Sequence, residues 1–450
     1  MLQRSFTVVY SKADSVFSAR YPALANIPFI LDSTPRLHRL GSAYLLDRGL
    51  GLWGPRQRTD DQSSLIPATK SINNYAAWLA NFLEWAEKRN ISLSTCSYAE
   101  HVQGRYQTEM LSGLWSRDRD GCSATTANLR VQQACDFLNW MVARKHRDSF
   151  SIPYETIHIK IGSATSSVGH LRKAVNVRQG KAPVPEKYLS LPIDEDVRVW
   201  LRSVRQEAGE TSGLMCECIL LTGMRREEIV CLRTNTLPPN RVDWKVANPL
   251  APPSDQQVRV DILFGTKGRS FGVDHGDKIG PQRSILMPMS LAIKLDDYRN
   301  NLRNRAFSRR LKNVKGKAER IACAEGAVHL FLREDTGERF TGKRLYDDWC
   351  KSNAPMTKWN PHQGRHWWAC SILWREIKKH DFMQRSAGAE MATALLENSA
   401  LSIIRLQIQP QLGHVSDSTT MIYVRWVTDM FSIPAWLDDP FEPDNRETLR

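Results

Sequence analysis

Pro361-His362-Gln363-Gly364-Arg365-His366, followed by Gln411-Leu412-Gly413-His414, Asp417, Thr419-Thr420 and Tyr423, is the stretch on which the reading of this chain turns. His, Arg, His and Tyr in that order are the groups needed to break a phosphodiester with a tyrosine. The attacking oxygen must lie in line with the departing 5′ oxygen, the non-bridging oxygens need cationic donors, and the leaving oxygen needs a proton. A planar guanidinium holds two phosphate oxygens in a fixed fork, which an ammonium cannot do. A lysine suits the role of acid, because neighbouring cations lower its pKa. A tyrosine hydroxyl titrates near ~10, so it needs a base or a cationic pocket to act as a nucleophile. Its phenoxide also leaves well enough to make the covalent step reversible without ATP. The chain accordingly has no G-x-x-x-x-G-K-[ST] phosphate loop.

Working outward, Leu214 to Leu221 reads as a buried helix stopped at Gly223, with a new helix from Arg225-Arg226-Glu227-Glu228. Val258, Val260, Ile262 and Phe264 alternate with Arg259, Asp261 and Leu263, and Ser284-Ile285-Leu286-Met287 returns before Pro288. That spacing predicts a strand pair. Lys267-Gly268 stands at the end of its first strand, and Lys278 lies in the same long hairpin. The region from 290 to 437 reads as mostly helical, with His366, Trp367 and Trp368 as core packing. One window is basic, with Arg303, Arg305, Arg309, Arg310, Lys312, Lys315, Lys317 and Arg320 against Glu319 alone. A DNA contact and a solvated face are both open for it.

Nearer the N-terminus, Tyr75, Trp78, Leu79, Phe82, Leu83, Trp85 and Ala86 recur at helical spacing. A second helix starts with Ser123 or Thr125 as N-cap and carries Leu129, Val131, Ala134, Cys135, Leu138 and Met141. Together they predict a small all-α domain over 65–150. Residues 151–188 lose this periodicity. From Leu171 to Lys187, Arg172, Lys173, Arg178, Lys181 and Lys187 face only Glu186, so 151–188 reads as an extended basic linker suited to a phosphate backbone. Residues 1–64 are broken by prolines and glycines and form an N-terminal arm region with no readable role. A catalytic domain is expected over 189–440, with a tail at 441–450.

A chain of 450 residues with 42% hydrophobic and 9% aromatic content has enough apolar surface for two or three domains. Its net charge of +14 points to a polyanionic partner, nucleic acid first. The nine cysteines are scattered, and only Cys216 and Cys218 lie close together, so they read as reduced core residues with no metal site. No signal-peptide pattern opens the chain, and no apolar run reaches the ~18 residues of a membrane span.

At these residues the chain resembles the tyrosine recombinases, the phage-type integrases and their relatives. Leu221-Thr222-Gly223-Met224-Arg225-Arg226-Glu227-Glu228-Ile229 resembles the motif of the first phosphate-binding arginine. The resemblance implies that role for Arg225, with Glu228 as its supporting acid. Phe264-Gly265-Thr266-Lys267-Gly268 resembles the β-hairpin lysine, which makes Lys267, or Lys278 in its place, the general acid. His362 and Arg365 match His-x-x-Arg, His414 matches the Leu-Gly-His histidine, and Tyr423 follows it by nine residues as the nucleophile.

The likeness covers about 65–430. It implies a mainly α fold with a small β-sheet: a two-domain DNA clamp, with a helical core-binding domain beside a mixed α/β catalytic domain. It also implies site-specific recombination or integration through a 3′-phosphotyrosyl intermediate, without cofactor or metal. The expected partners are double-stranded DNA, contacted by Arg172, Lys173, Arg178, Lys181, Arg309 and Arg310, three further copies of the chain in a homo-tetramer on two sites, and accessory recombination proteins. No membrane is expected, and the location is cytoplasmic, at the nucleoid. A type IB topoisomerase and a decayed integrase that only binds DNA stay open as alternatives. The chain departs from the family pattern in a looped-out insertion such as Pro238 to Pro253, in extra sequence near 381–405, and in Gly364, where the family usually has leucine.

Overall fold

The computed structural model describes residues 6–10, 20–55, 66–116, 119–161, 171–185, 188–266, 279–379, 398–414 and 421–431. Lys267, Lys278, most of the 381–405 insertion, Asp417 to Thr420 and the 441–450 tail lie outside these. The fold is mainly α with small antiparallel sheets, and the chain divides into two compact units, Met1–Glu186 and Lys187–Arg450. No described helix is long and apolar enough to cross a membrane.

In the first unit, β1 (Thr7–Val9) pairs antiparallel with β2 (Phe29–Leu31), and α1 (Arg39–Leu50) follows, closed by Gly51 at φ 72°. Helix α2 (Thr69–Lys88) buries Ile72, Ala76, Leu79, Phe82, Leu83 and Ala86, the periodic apolar face seen in the sequence. Helix α3 (Ala124–Ala143) is capped by Ser123, whose hydroxyl accepts from Thr126 N at 3.3 Å. The N-terminal region is not a separate arm where it is described. Phe6, Ile27, Ile30, Tyr44 and Leu45 share one core with α2 and α3. Gln133 Nε2 donates to Tyr44 Oη at 2.7 Å, and Trp140 Nε1 to Asp47 Oδ2 at 2.8 Å, tying α1 to α3. These contacts join residues far apart in the chain, so no local pattern announced them.

The expected linker is also different. Within 151–188, β3 (Tyr154–Ile161) and β4 (Leu171–Arg178) pair antiparallel, Tyr154 opposite Arg178. The boundary between the units falls after this hairpin, at Glu186. Arg178 is buried, with its guanidinium donating to Tyr98 Oη, Gln107 Oε1 and Asn128 Oδ1. A charge enclosed by neutral acceptors joins β4 to the helices and is not available to a phosphate, which removes Arg178 from the expected DNA contacts.

The second unit begins with α4 (Asp194–Ala208), whose first turn carries Asp194, Glu195 and Asp196 at the positive end of the helix dipole. Helix α5 (Glu210–Thr222) is apolar nearly all round and correspondingly buried. It stops at Gly223, φ 63°, where a Cβ would lie 2.6 Å from Trp368 Cε3. Helix α6 (Arg226–Val230) follows, N-capped by Arg225. Strands β5 (Gln257–Phe264) and β6 (Ile279–Pro288) pair antiparallel, with Val258 opposite Met287 and Val260 opposite Ile285, all four buried. The expected insertion, 238–253, is anchored against this sheet. Trp244 is buried and donates to Pro238 O at 3.0 Å, Val246 bridges Val258, and Arg299 donates to the carbonyls of Thr234, Leu237 and Pro238.

Helices α7 (Met289–Asn300), α8 (Leu302–Lys312), α9 (Lys317–Gly326), α10 (Gly342–Lys351) and α11 (Pro361–Lys379) complete the main body. The short α12 (Gln409–Leu412) and α13 (Met421–Phe431) follow. Gly364 now has a reason. Trp349, packed at a tilt against Trp200 and Trp359, occupies the space a side chain would need, and a Cβ at Gly364 would come within 2.5 Å of its ring. Gly364→Ala is therefore expected to cost about 1–3 kcal/mol through overpacking, read from the urea midpoint, and Trp349→Phe in the same chain should recover part of it.

Candidate active site

The end of a helix leaves carbonyls without partners, and the end of α5 shows how this site assembles. Trp368 Nε1 donates to Leu221 O at 3.1 Å, Gln411 Nε2 to Thr222 O at 2.9 Å, and Arg365 Nη1 to Gly223 O. All three donors come from distant motifs. The negative end of α5 thereby draws the His-x-x-Arg helix, α11, and the Leu-Gly-His turn to the segment that carries Arg225. Arg365 also donates through Nη2 to Leu412 O, and Arg225 through Nη2 to Gly413 O at 3.3 Å, so both arginines reach the end of α12. Gly413 takes φ 61°, and a Cβ there would lie 2.9 Å from Arg283 Cδ.

Glu228 is fully buried and holds three groups. It accepts from Arg225 N at 2.7 Å, from Arg225 Nη1 at 3.0 Å, and from Arg283 at 3.1 and 2.6 Å. Burial alone would raise its pKa, but the Arg283 and Arg225 contacts outweigh that and hold its carboxyl below the usual range. Removing one partner of a buried pair leaves the others uncompensated. Glu228→Ala is therefore expected to cost about 3–5 kcal/mol, visible as a lower Tm, and a variant that unfolds with unchanged Tm would remove Glu228 as the support of both arginines.

Arg283 and Gln411 were missed as site residues. Arg283 stands opposite Ile262 on β6, on the inward face it shares with Ile285 and Met287. A charge at a period-2 apolar position was the available signal. Arg283 also donates to Gln411 O, while Gln411 pairs with Leu286 through both backbone groups at 2.8 Å, fastening the Leu-Gly-His turn to the sheet.

Arg365 is almost wholly buried. Desolvation, with Arg225 beside it, brings its pKa down to about 9, so it remains a cation at neutral pH. His414 is pushed down to about 4 by burial and by Arg365 and Arg225, which makes its imidazole neutral at pH 7. Its Nδ1 is buried without a hydrogen-bond partner among the described residues. His362 is exposed at the start of α11, its backbone N held by Asn360 Oδ1 at 2.9 Å. Tyr423, on α13, is fully buried against α11, and burial pushes its phenol well above the ordinary tyrosine value.

Its hydroxyl lies 2.9 Å from His366 Nδ1, and the His366 ring meets His362 edge-on at 4.4 Å. His366 is thus more than core packing, whereas Trp368 is packed in the core as expected. Residues 362, 365 and 366 share one face of α11. Arg225, Arg365, His362, His414 and Tyr423 therefore converge. Lys267 lies outside the described residues, but β5 ends beside Arg225's helix, with a Cβ at Gly265 only 2.3 Å from Glu227 O.

The remaining basic candidates lie elsewhere. Lys181 and Arg309 are exposed, and Arg310 is half-buried. Arg309 donates to Glu334 O. Arg172 and Lys173 lie on β4, and nothing is described of their side chains. Arg303 of the basic window is buried and donates to His329 O at 3.0 Å, holding α8 to the chain beyond α9.

No protein-family model matches the sequence, and no curated protein does. Among solved structures, the chain is similar to the XerH site-specific recombinase bound to its difH substrate in a pre-cleavage complex. The identity is 18% and the TM-score 0.40, over 81% of this chain and 80% of that one. XerA recombinase is similar at 16% identity and TM-score 0.30, over 81% and 91%. A lambda integrase dimer bound to a COC′ core site is similar at 13% identity and TM-score 0.41, over 86% and 95%. These neighbours are tyrosine recombinases.

Proposed function

We propose that the chain is a tyrosine recombinase that cuts and rejoins duplex DNA at specific sites without ATP. Tyr423 attacks the scissile phosphorus, forming a 3′-phosphotyrosyl bond and releasing the 5′ oxygen, which takes a proton from Lys267 or Lys278. The freed 5′ hydroxyl then attacks the phosphotyrosine of a partner strand. Arg225 and Arg365 supply the forked donors for the non-bridging oxygens, and neutral His414 adds a hydrogen bond there. One observation carries this reading: two arginines and His414 meet at the ends of α5 and α12, with the buried Tyr423 hydroxyl on the residue next to Arg365.

Both units contact the duplex, with Lys181, Arg309, Arg310, Arg172 and Lys173 on phosphates. Four protomers act on two sites, together with accessory proteins.

The test is covalent capture. Duplexes with a randomised core are incubated with the full chain, and the SDS-resistant fraction is amplified and reselected. Enrichment of one sequence, attached through its 3′ phosphate, is expected; a pool that yields no covalent DNA sinks the proposal. On the selected duplex, exchange between two sites is expected. Relaxation of a supercoiled plasmid without exchange would make the chain a topoisomerase, and binding without cleavage would leave it a DNA-binding protein.

A further inference from the structure

The sequence pattern gives the catalytic histidine as His362, but the hydroxyl of Tyr423 is bonded to a different one. His362 is exposed and touches His366 by ring contact. His366 is half-buried, and its Nδ1 sits at hydrogen-bond distance from Tyr423 Oη. Tyr423 is fully buried in an apolar cluster with Ala369, Cys370, Leu373, Ile404, Leu412 and Val427, none of which accepts a proton at neutral pH. A tyrosine in such a place must still lose its proton as it attacks, because an oxonium on phosphorus would be expelled.

We infer that His366, and not His362, is the catalytic residue that orients Tyr423 and takes its proton. This rests on Tyr423 being the nucleophile. As the Tyr423 Oη–P bond forms and the P–O5′ bond breaks, the phenolic proton passes to His366 Nδ1, and the 5′ oxygen takes its proton from the hairpin lysine proposed above. In rejoining, the 5′ hydroxyl returns its proton to that lysine, and His366 returns the other to the departing Tyr423 oxygen. Both protons are restored, so nothing else is consumed. His362 serves from outside, its ring packed edge-on against His366. The arrangement follows from helical geometry: Arg365 and His366 are adjacent on α11, so the group that grips phosphate and the group that holds the nucleophile move as one rigid element.

Two substitutions separate proton transfer from positioning. His366→Phe keeps a ring against His362 and Tyr423 but has no nitrogen. His366→Gln keeps an acceptor for the hydroxyl but is not a base. Single-turnover adduct formation is measured from pH 6.5 to 9 on the duplex selected by covalent capture, with gel-shift affinity and Tm alongside. Both variants are expected to lose a factor of roughly 10²–10⁴ at neutral pH, with affinity within about threefold of wild type. Their rates should then climb about tenfold per pH unit as hydroxide replaces the missing base, while His362→Phe loses much less.

Three results would overturn the assignment. They are wild-type rates in His366→Phe, full recovery in His366→Gln, and a loss in both that does not recover with pH or that tracks a fallen Tm. If the wild-type chain forms no adduct at all, the recombinase reading fails and this one falls with it. A normal wild-type adduct with an unaffected His366→Phe removes His366 alone.

Discussion

Tyr423→Phe is expected to abolish the SDS-resistant protein–DNA adduct on the selected duplex, by at least ~10³-fold, while specific binding survives. Only one oxygen is removed. The ring stays in the core formed with α11, and the hydrogen bond between the hydroxyl and His366 disappears with the oxygen. A buried hydrogen bond of this kind contributes about 0.5–1.5 kcal/mol net, so Tm should move little. That contrast makes the result interpretable: a variant that lacks only this oxygen, folds and binds but forms no adduct has lost its nucleophile. An adduct that forms undiminished in the variant would require another side chain to be the attacking group.

Arg365→Lys should reduce cleavage by a factor of roughly 10² or more, a few kcal/mol of transition-state stabilisation. The charge is retained, but a lysine is a single point where the guanidinium is a fork. In the free protein that fork spans two helix ends, donating to Gly223 O and Leu412 O. Lysine cannot satisfy both, so a stability loss of about 1–3 kcal/mol accompanies the loss of rate. Arg225→Lys should show a similar rate effect with a different cause, since Arg225 is half-exposed and its support is Glu228. Cleavage near the wild-type rate in both variants would show that the phosphate is held elsewhere. Comparing the Tm values of the two variants separates a damaged scaffold from a damaged phosphate grip.

Much of this was open to reading in the chain itself. The 3.6-residue periodicity of α2 and α3, the stop at Gly223, and the alternation of β5 are local patterns, and each formed where its spacing indicated. Arg225, Glu228, Arg365, His414 and Tyr423 could be singled out as candidates because they stand in short, ordered motifs, and the fold gathers them at the ends of α5 and α12 and on α13. What failed were inferences about stretches without periodicity. Arg178 read as a linker cation because its burial depends on Tyr98, Gln107 and Asn128, which lie some 50 to 80 residues away in sequence. The N-terminal region read as an arm because the partners of Tyr44 and Asp47 lie on α3.

The sequence by itself determined many of the elements and which side chains are candidates for the site, since helical and strand periods and short motifs are properties of neighbouring residues. Only the tertiary structure decided how those groups are held. The unsatisfied carbonyls at the ends of α5 and α12 could take Arg365, Gln411, Trp368 and Arg225 only once the chain had closed on itself. The same closure put Arg283 on Glu228 and His366 beside the Tyr423 hydroxyl. Buried polar groups must find partners wherever the fold offers them, and no spacing along the chain says which partner that will be.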